Sequence, residues 1–510
     1  MRLTLVASVF LLAAIAAGAP RLAGPPPMTG QQAQQFALHL NNVAQQVNQS
    51  YVRPVPVPEL LHAALAGLYQ GARLPVPADL KERVDKAAAR GELVLVIQEA
   101  HARTGDAVTA LGRDPMTVAC QAMLRSLDPW SGVVGRDELR RNVALDQEAQ
   151  GVGVALDDYT GSGPLVVKAV HPGGAAQRAG LRPGDHVTHV NDKPVDKPRA
   201  DPLHAANLGR LLLESGEEGW KPQYDPVSGQ PINPLISGRL AKVTFRRPGG
   251  WPRTVELERA PFRVETVLGT GRDDGHRWHY WADYKRRIAH VRVSMLSLGT
   301  ADELADVLER LHAAGMRGLV LDLRWTPGGY LNDSVSVARL FLGDVTVATV
   351  KSRDQGDVVQ RGGGPSQLAD LPLVVLVNGE TSGGAELIAA ALQDHKRAVV
   401  VGQRTLGKAS VQNSLDFPPD TKIKLTSGTF FRPSGKNLHR FPERKPTDDW
   451  GVKPDVEFRV SPELGGQLKA WWLAQTLRPG PSPERLPLDD PSNDAQRQAA
   501  VDAVAALLAR

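Results

Sequence analysis

Across 510 residues there is one cysteine, Cys120. A single thiol closes no intrachain disulfide and builds no cysteine metal site, and cysteine usage is silent about the redox compartment. The chain also lacks a charge of one sign: the net charge of +5 arises from basic residues dispersed among acidic ones. That dispersal excludes the electrostatic stripe of a nucleic-acid binder. Long apolar runs are missing too, with one exception. Arg2 precedes "LTLVASVFLLAAIAAGA", and small residues cluster before Pro20. The run is slightly short of the ~20 residues a spanning helix needs. The expectation is a signal peptide over residues 1–19, cut after Ala17 or Gly18, with an uncleaved membrane anchor as the alternative. No cysteine follows the run, which excludes a lipoprotein anchor. The protein is expected in the periplasm or cell envelope, or secreted, with membrane contact only through that segment if it is uncleaved.

What is present separates into regions. A Pro/Gln-rich spacer, residues 20–34, has too little apolar surface to fold alone. Residues 35–144 read as helical, with apolar positions three and four apart in "FALHLNNVAQQV" and "ELLHAALAGLY". From residue 145 to 261 the period changes to two, in "GVGVAL", "PLVVKAV" and "DHVTHVN", and an unusual loop, "ESGEEGWKPQYDPVSGQPINPLISG", interrupts the strands. Residues 262–461 alternate strands with helices, which predicts an α/β layered core with a largely parallel sheet. Residues 462–510 read as a linker and a short amphipathic helix, a terminal appendage without chemistry.

Ligands of parallel α/β sheets collect at the loops after the strand C-termini. Two such loops carry "TPGG" and "TSGG". Ser382, at the second, sits where a helix N-terminus offers unpaired N–H groups to a developing oxyanion. Its hydroxyl needs a base. His395 lies at the far end of the following helix and suits no triad. Lys408, after the next strand, is the better base, provided it is desolvated enough to be neutral; lowering its pKa to near 7 costs about 4 to 5 kcal/mol. Gln412, four residues on, is a neutral partner for it. In the β-rich region, Gly151, Val152, Gly153 and Val154 form either a loop whose amides hold a chain-terminal carboxylate beside a strand edge, or a plain turn. Nothing in the sequence implies a metal or a cofactor.

The motifs "GVGV", "AGLRPGDHVTHVND", "GLVLDLRWTPGGYL", "ALQDHKRAVVVGQRTLGKASVQ", "IKLTSGTFFRPSGK" and "GVKPDV" occur in one order between "LDPWSG" and "WGVKPDVEF". In this they resemble the C-terminal processing peptidases, or tail-specific proteases, which join a helical N-terminal part, a PDZ domain and an α/β core with a Ser-Lys dyad. The resemblance implies an α/β multidomain fold, a serine endopeptidase activity, and protein or peptide C-termini as substrates or ligands. It puts the catalytic lysine on Lys408, its supporting glutamine on Gln412, and oxyanion amides on Gly328, Gly329 and Gly383. Substrate and any adaptor protein stay unidentified.

The nucleophile departs from the family pattern, where the attacking serine stands three residues before the glutamate and twenty-five before the lysine. Counted from Glu386 and from Lys408, both spacings fall on Gly383, and Ser382 is one place early. Two readings stay open. Either Ser382 is a displaced nucleophile, re-aimed by the permissive Gly383-Gly384 pair, or the chain is a pseudo-peptidase that binds C-termini without cutting them.

Overall fold

The computed structural model describes residues 30–134, 148–156, 165–171, 173–194, 240–272, 277–364, 366, 368–417, 421–477 and 494–510. The expected signal segment, most of the spacer, the long loop of the β-rich region and the linker before Asp494 lie outside them. The chain divides into two compact units, residues 1–49 with 54–133, and residues 50–53 with 134–510.

The first unit is helical: α1 (Gly30–Ser50), α2 (Val57–Gly71), α3 (Leu80–Arg90), α4 (Leu93–Ala110) and α5 (Pro115–Arg125). The three-to-four spacing buries Ala37, Leu40, Val43, Ala44 and Val47 along α1. α2 packs so closely on α5 that a Cβ on Gly67 would fall 2.1 Å from that of Ala122. Residues 135–144 of the region read as helical lie outside the described residues, and the last described helix of this unit ends at Arg125. Asp128 turns the chain there, its carboxylate accepting the N–H groups of Trp130 and Ser131.

In the second unit the β-rich region comprises β1 (Glu148–Gly151), β2 (Val154–Leu156), β3 (Leu165–Val170), α6 (Ala175–Arg178), β4 (His186–Val190), β5 (Leu240–Arg246), β6 (Arg253–Glu258) and β7 (Ala260–Arg263). Strands β2 to β6 pair antiparallel in chain order, and β1 pairs with β7. Alternate residues of β5, Ala241, Val243 and Phe245, point into its core with Val167, Val187 and Leu257.

The remainder builds the α/β core from β8 (Ile288–Val293), α7 (Thr300–Ala313), β9 (Gly318–Asp322), α8 (Leu331–Arg339), β10 (Thr346–Ser352), β11 (Gly356–Arg361), β12 (Leu373–Val377), α9 (Gly384–Asp394), β13 (Val399–Gly402), β14 (Ser410–Phe417), β15 (Thr421–Phe431), β16 (Val456–Glu457), α10 (Pro462–Leu477) and α11 (Ala495–Leu508). Strands β8, β9, β12, β13 and β16 lie side by side and parallel. A second sheet runs β14-β15-β10-β11, antiparallel throughout.

Both faces of the parallel sheet are covered, which is why its strands are continuous apolar runs. Leu319, Leu321, Leu373, Val375 and Val377 face α7, α8 and α9. The alternate residues Ile288, Val320, Val374, Leu376 and Val401 face Ala500, Val501 and Val504 of α11. The reading of the C-terminal helix as an appendage is therefore corrected: α11 supplies the second layer of the core. Its apolar positions are mostly small alanines, and with β-branched Val501 and Val504 they pass as a weak amphipathic tail until the sheet face they cover is known.

Candidate active site

Three loops converge at the C-terminal edge of the parallel sheet: those after β9, β12 and β13. Asn378 joins the first two, its Oδ1 accepting the N–H groups of Trp325 at 3.0 Å and Thr381 at 3.1 Å. Ser382 N–H donates to the Thr326 carbonyl at 3.0 Å. The glycines of "TPGG" permit the close approach. A Cβ on Gly328 would lie 3.0 Å from the Ser382 carbonyl and 3.1 Å from Gly383 Cα, and one on Gly329 would lie 2.0 Å from the Leu296 carbonyl. The third loop is tied in by Leu406 N–H, which donates to the Thr381 carbonyl at 2.9 Å.

Glu386, in the first turn of α9, holds the arrangement together. Its Oε2 accepts Gly383 N–H at 3.1 Å, and its Oε1 accepts Gly407 N–H at 2.7 Å and the Thr405 hydroxyl. The backbone of Lys408 donates to the same carboxylate. Burial pushes the Glu386 carboxyl up to about 7, against the pull of these donors in the other direction. Neither Asn378 nor Glu386 is found by sequence reasoning that seeks a nucleophile and a base. The one sequence signal is an acid at the third position of a helix, where it reaches back to the cap.

The structure brings Ser382, Gly383, Gly328 and Gly329 together with the backbone of Lys408. Gly383 precedes α9 with φ 60° and ψ −124°. This is a sharp strand-to-helix elbow of the kind that presents a nucleophile, and a side chain adopts it only under strain. There is room for one: a Cβ at Gly383 would meet Gly328 Cα at 3.4 Å, the Pro327 carbonyl at 3.5 Å and the Lys408 carbonyl at 3.8 Å. Gly384 is less permissive than its type suggests, since a Cβ there would fall 1.9 Å from Ser334 Oγ. Ser382 stands just before the elbow and is 3 % exposed.

Lys408 is half-buried. Gln412 donates its amide to Ser410 Oγ at 3.0 Å and Thr426 Oγ1 at 2.7 Å, and its Oε1 is buried with no hydrogen-bond partner. His395 ends α9 and bonds the Thr346 carbonyl at 2.7 Å, away from the three loops. Gly151, Val152, Gly153 and Val154 belong to the β-rich region. There the Val152 carbonyl accepts Ala176 N–H and the Gly153 carbonyl accepts His171 N–H, both at 2.9 Å. Among the described residues no group of His, Cys, Asp and Glu is placed to hold a metal, and no helix is long and apolar enough to cross a membrane.

Residues 287–458 match peptidase family S41, and residues 166–218 match the PDZ domain. The chain thus carries a peptidase family S41 domain and a PDZ domain. The S41 match spans β8 to β16 and includes all three converging loops. Among curated relatives, the chain is 26 % identical over 352 residues to a CtpA-like serine protease of Staphylococcus haemolyticus, covering 68 % of this chain and 60 % of that one. It is 25 % identical over 344 residues to the carboxy-terminal-processing protease of Bartonella bacilliformis, covering 66 % and 68 %. It is 24 % identical over 343 residues to the carboxy-terminal processing protease CtpA of Bacillus subtilis, covering 66 % and 63 %. The chain thus spans 60 % to 68 % of the length of these relatives. Among solved structures, the photosystem II D1 C-terminal processing protease aligns with a TM-score of 0.38 and 21 % identity, over 84 % of this chain and 93 % of that one.

Proposed function

We propose that the protein is an exported serine endopeptidase of the C-terminal processing type, which captures polypeptides by their free C-terminal carboxylates through its PDZ domain and hydrolyses them at the S41 cleft. Ser382 is the nucleophile and Lys408 the base. The observation that carries this reading is the Glu386 clamp, in which one buried carboxylate fastens the elbow amide and the lysine loop into one frame. The names of the curated relatives support it.

In the reaction, neutral Lys408 takes the Ser382 Oγ proton as Oγ bonds to the substrate carbonyl carbon. N–H groups of the glycine turn at Gly328 and Gly329 stabilise the oxyanion; the Gly383 N–H, expected to share that role, is instead held by Glu386 Oε2. The C–N bond then breaks as the proton passes from Lys408 to the leaving amine. Water, activated by Lys408, opens the acyl ester and restores Ser382. Gln412 Oε1, buried without a partner in the structure, is the acceptor open to the Lys408 ammonium or amine when that side chain turns toward it. Export rests on the Arg2-headed apolar run, and an intact Met1 on the native protein would count against it.

A second reading is favoured by Gly383 itself: the elbow residue carries no hydroxyl, so the cleft holds C-termini without cutting them. One set of assays separates the two, using an unstructured protein with an apolar C-terminus and fluorophosphonate labelling with mapping of the modified residue. On the first reading the wild type cleaves, the label maps to Ser382, and Ser382→Ala and Lys408→Ala each abolish turnover. On the second the wild type is inert and unlabelled. Gly383→Ser then costs about 1–3 kcal/mol of stability, for a side chain at positive φ, and installs a reactive hydroxyl. Proteolysis that survives Ser382→Ala would overturn both readings.

A further inference from the structure

The loop after β9 begins at Arg324, whose guanidinium is fully buried between two carboxylates. Nη2 and Nε contact Asp322, at 2.8 Å and 3.1 Å, while Nη1 and Nη2 reach the two oxygens of Asp494 at 2.9 Å and 3.0 Å. Asp494 comes from the far end of the sequence. It caps α11 by accepting Arg497 N–H at 3.1 Å, and it accepts Trp472 Nε1–H at 3.0 Å. Asp322 also bonds His290 Nε2 at 3.0 Å, and burial keeps that imidazole neutral, at about 4. Arg292 lies over the Trp472 ring at 4.3 Å and donates to the Gly269 carbonyl.

Beyond Arg324 the backbone enters a turn that its own residues do not favour. Trp325 has φ 58°, a left-handed conformation for a bulky side chain. Such strain persists only where the surroundings over-determine it. On one side the fixing contacts are Asn378 and the Ser382 amide, which bonds the Thr326 carbonyl. On the other side there is Arg324, fastened at both ends of its guanidinium fork. Arginine makes this two-sided contact because its donors are planar and rigid.

We propose that Asp494 is a positioning residue for the turn at residues 325–329, so that docking of the C-terminal helix sets the geometry of the glycine turn through the Arg324 guanidinium. Removing one partner from a buried ionic group leaves the other under-compensated, and the backbone attached to it shifts toward a better-solvated arrangement. The role assigned to the turn in catalysis rests on the proposed function; the structural coupling does not.

Asp494→Asn breaks the ion pair and keeps the α11 cap, because asparagine caps helices about as well as aspartate; its single oxygen serves the Arg497 N–H, so the Trp472 Nε1–H bond is lost with the ion pair. Hydrogen exchange read by mass spectrometry on the full chain is the measurement. Exchange across residues 323–330 and 381–386 should rise about tenfold, as local opening becomes easier, while α11 keeps its wild-type protection. Val501→Ala serves as the matched control: it loosens α11 through packing and leaves the ion pair intact, so exchange should rise in α11 rather than in the turn. Should Asp494→Asn yield little folded protein, Arg324→Lys keeps the charge but cannot span both carboxylates, and carries the same expectation. A change confined to α10 and α11, no change at all, or an equal response of the turn to Val501→Ala would overturn the proposal. A chain that cleaves nothing would still show the exchange response. One that cleaves without it would refute this inference and leave the proposed function standing.

Discussion

A carboxylate placed where three loops meet is pulled one way by its hydrogen bonds and the other by its burial. At Glu386 burial wins, and the folded-state value of about 7 lies above the ordinary 4.5. Between these values the folded chain binds a proton that the unfolded chain has lost, so stability falls as pH rises. The contribution is fully present below about 4.5 and is lost as pH passes through about 7. Glu386→Gln removes the titration and sets an amide donor against backbone donors, so the variant is expected to be less stable by about 1–3 kcal/mol at pH 5. Its deficit should then shrink between pH 5 and pH 8, by at most on the order of 3 kcal/mol. Other titrating groups are common to both proteins and cancel in the difference. Thermal unfolding of the pair at four pH values checks this, and a gap independent of pH would show that Glu386 does not titrate in this range.

At the scale of elements, the parallel sheet was legible because β9 up to Leu321 and all of β12 are apolar, as doubly covered strands must be. The helices α7 to α9 were legible from their periodicity, and the loops that hold the site from their glycines. What was not legible is why those glycines are there. At Gly329 the reason is contact: its α-hydrogen side faces the Leu296 carbonyl, to which Tyr330 N–H donates at 2.8 Å, and the two residues form an isolated parallel bridge. Gly329→Ala must push this turn off β8's extension and away from the elbow. We expect a loss of roughly 2–4 kcal/mol, the range of overpacking combined with a lost bridge. Gly343→Ala is the control, since a Cβ there meets nothing within 4 Å, and it should stay within about 0.5 kcal/mol of wild type. Denaturant unfolding of both variants is the measurement, and equal effects would refute the contact argument.

Over the whole molecule the same division holds. The order of the helical, β-rich and α/β regions was readable because periodicity and motif order survive in one dimension. The role of α11 was not, because its partners, Val320, Val374 and Arg324, lie about 120 to 180 residues away in sequence. The "GVGV" loop is an intermediate case. Its sequence left a plain turn as an equal alternative, and the structure adds a direction. The Val152 carbonyl points at Ala176 N–H. In a trans peptide the N–H of the next residue points the opposite way, so Gly153 N–H faces away from the 171–176 segment. An amide so directed, at a residue with φ 80°, suits an anion better than a turn packed on all sides. A peptide with a free C-terminus should therefore bind the full chain more tightly than the same peptide with an amidated C-terminus, by at least about tenfold, the worth of one charge-assisted hydrogen bond. Titration calorimetry with the Ser382→Ala variant keeps the peptide intact on either reading of the cleft. Equal affinities would mean that the loop is only a turn and that the protein engages its ligands without reading where a chain ends.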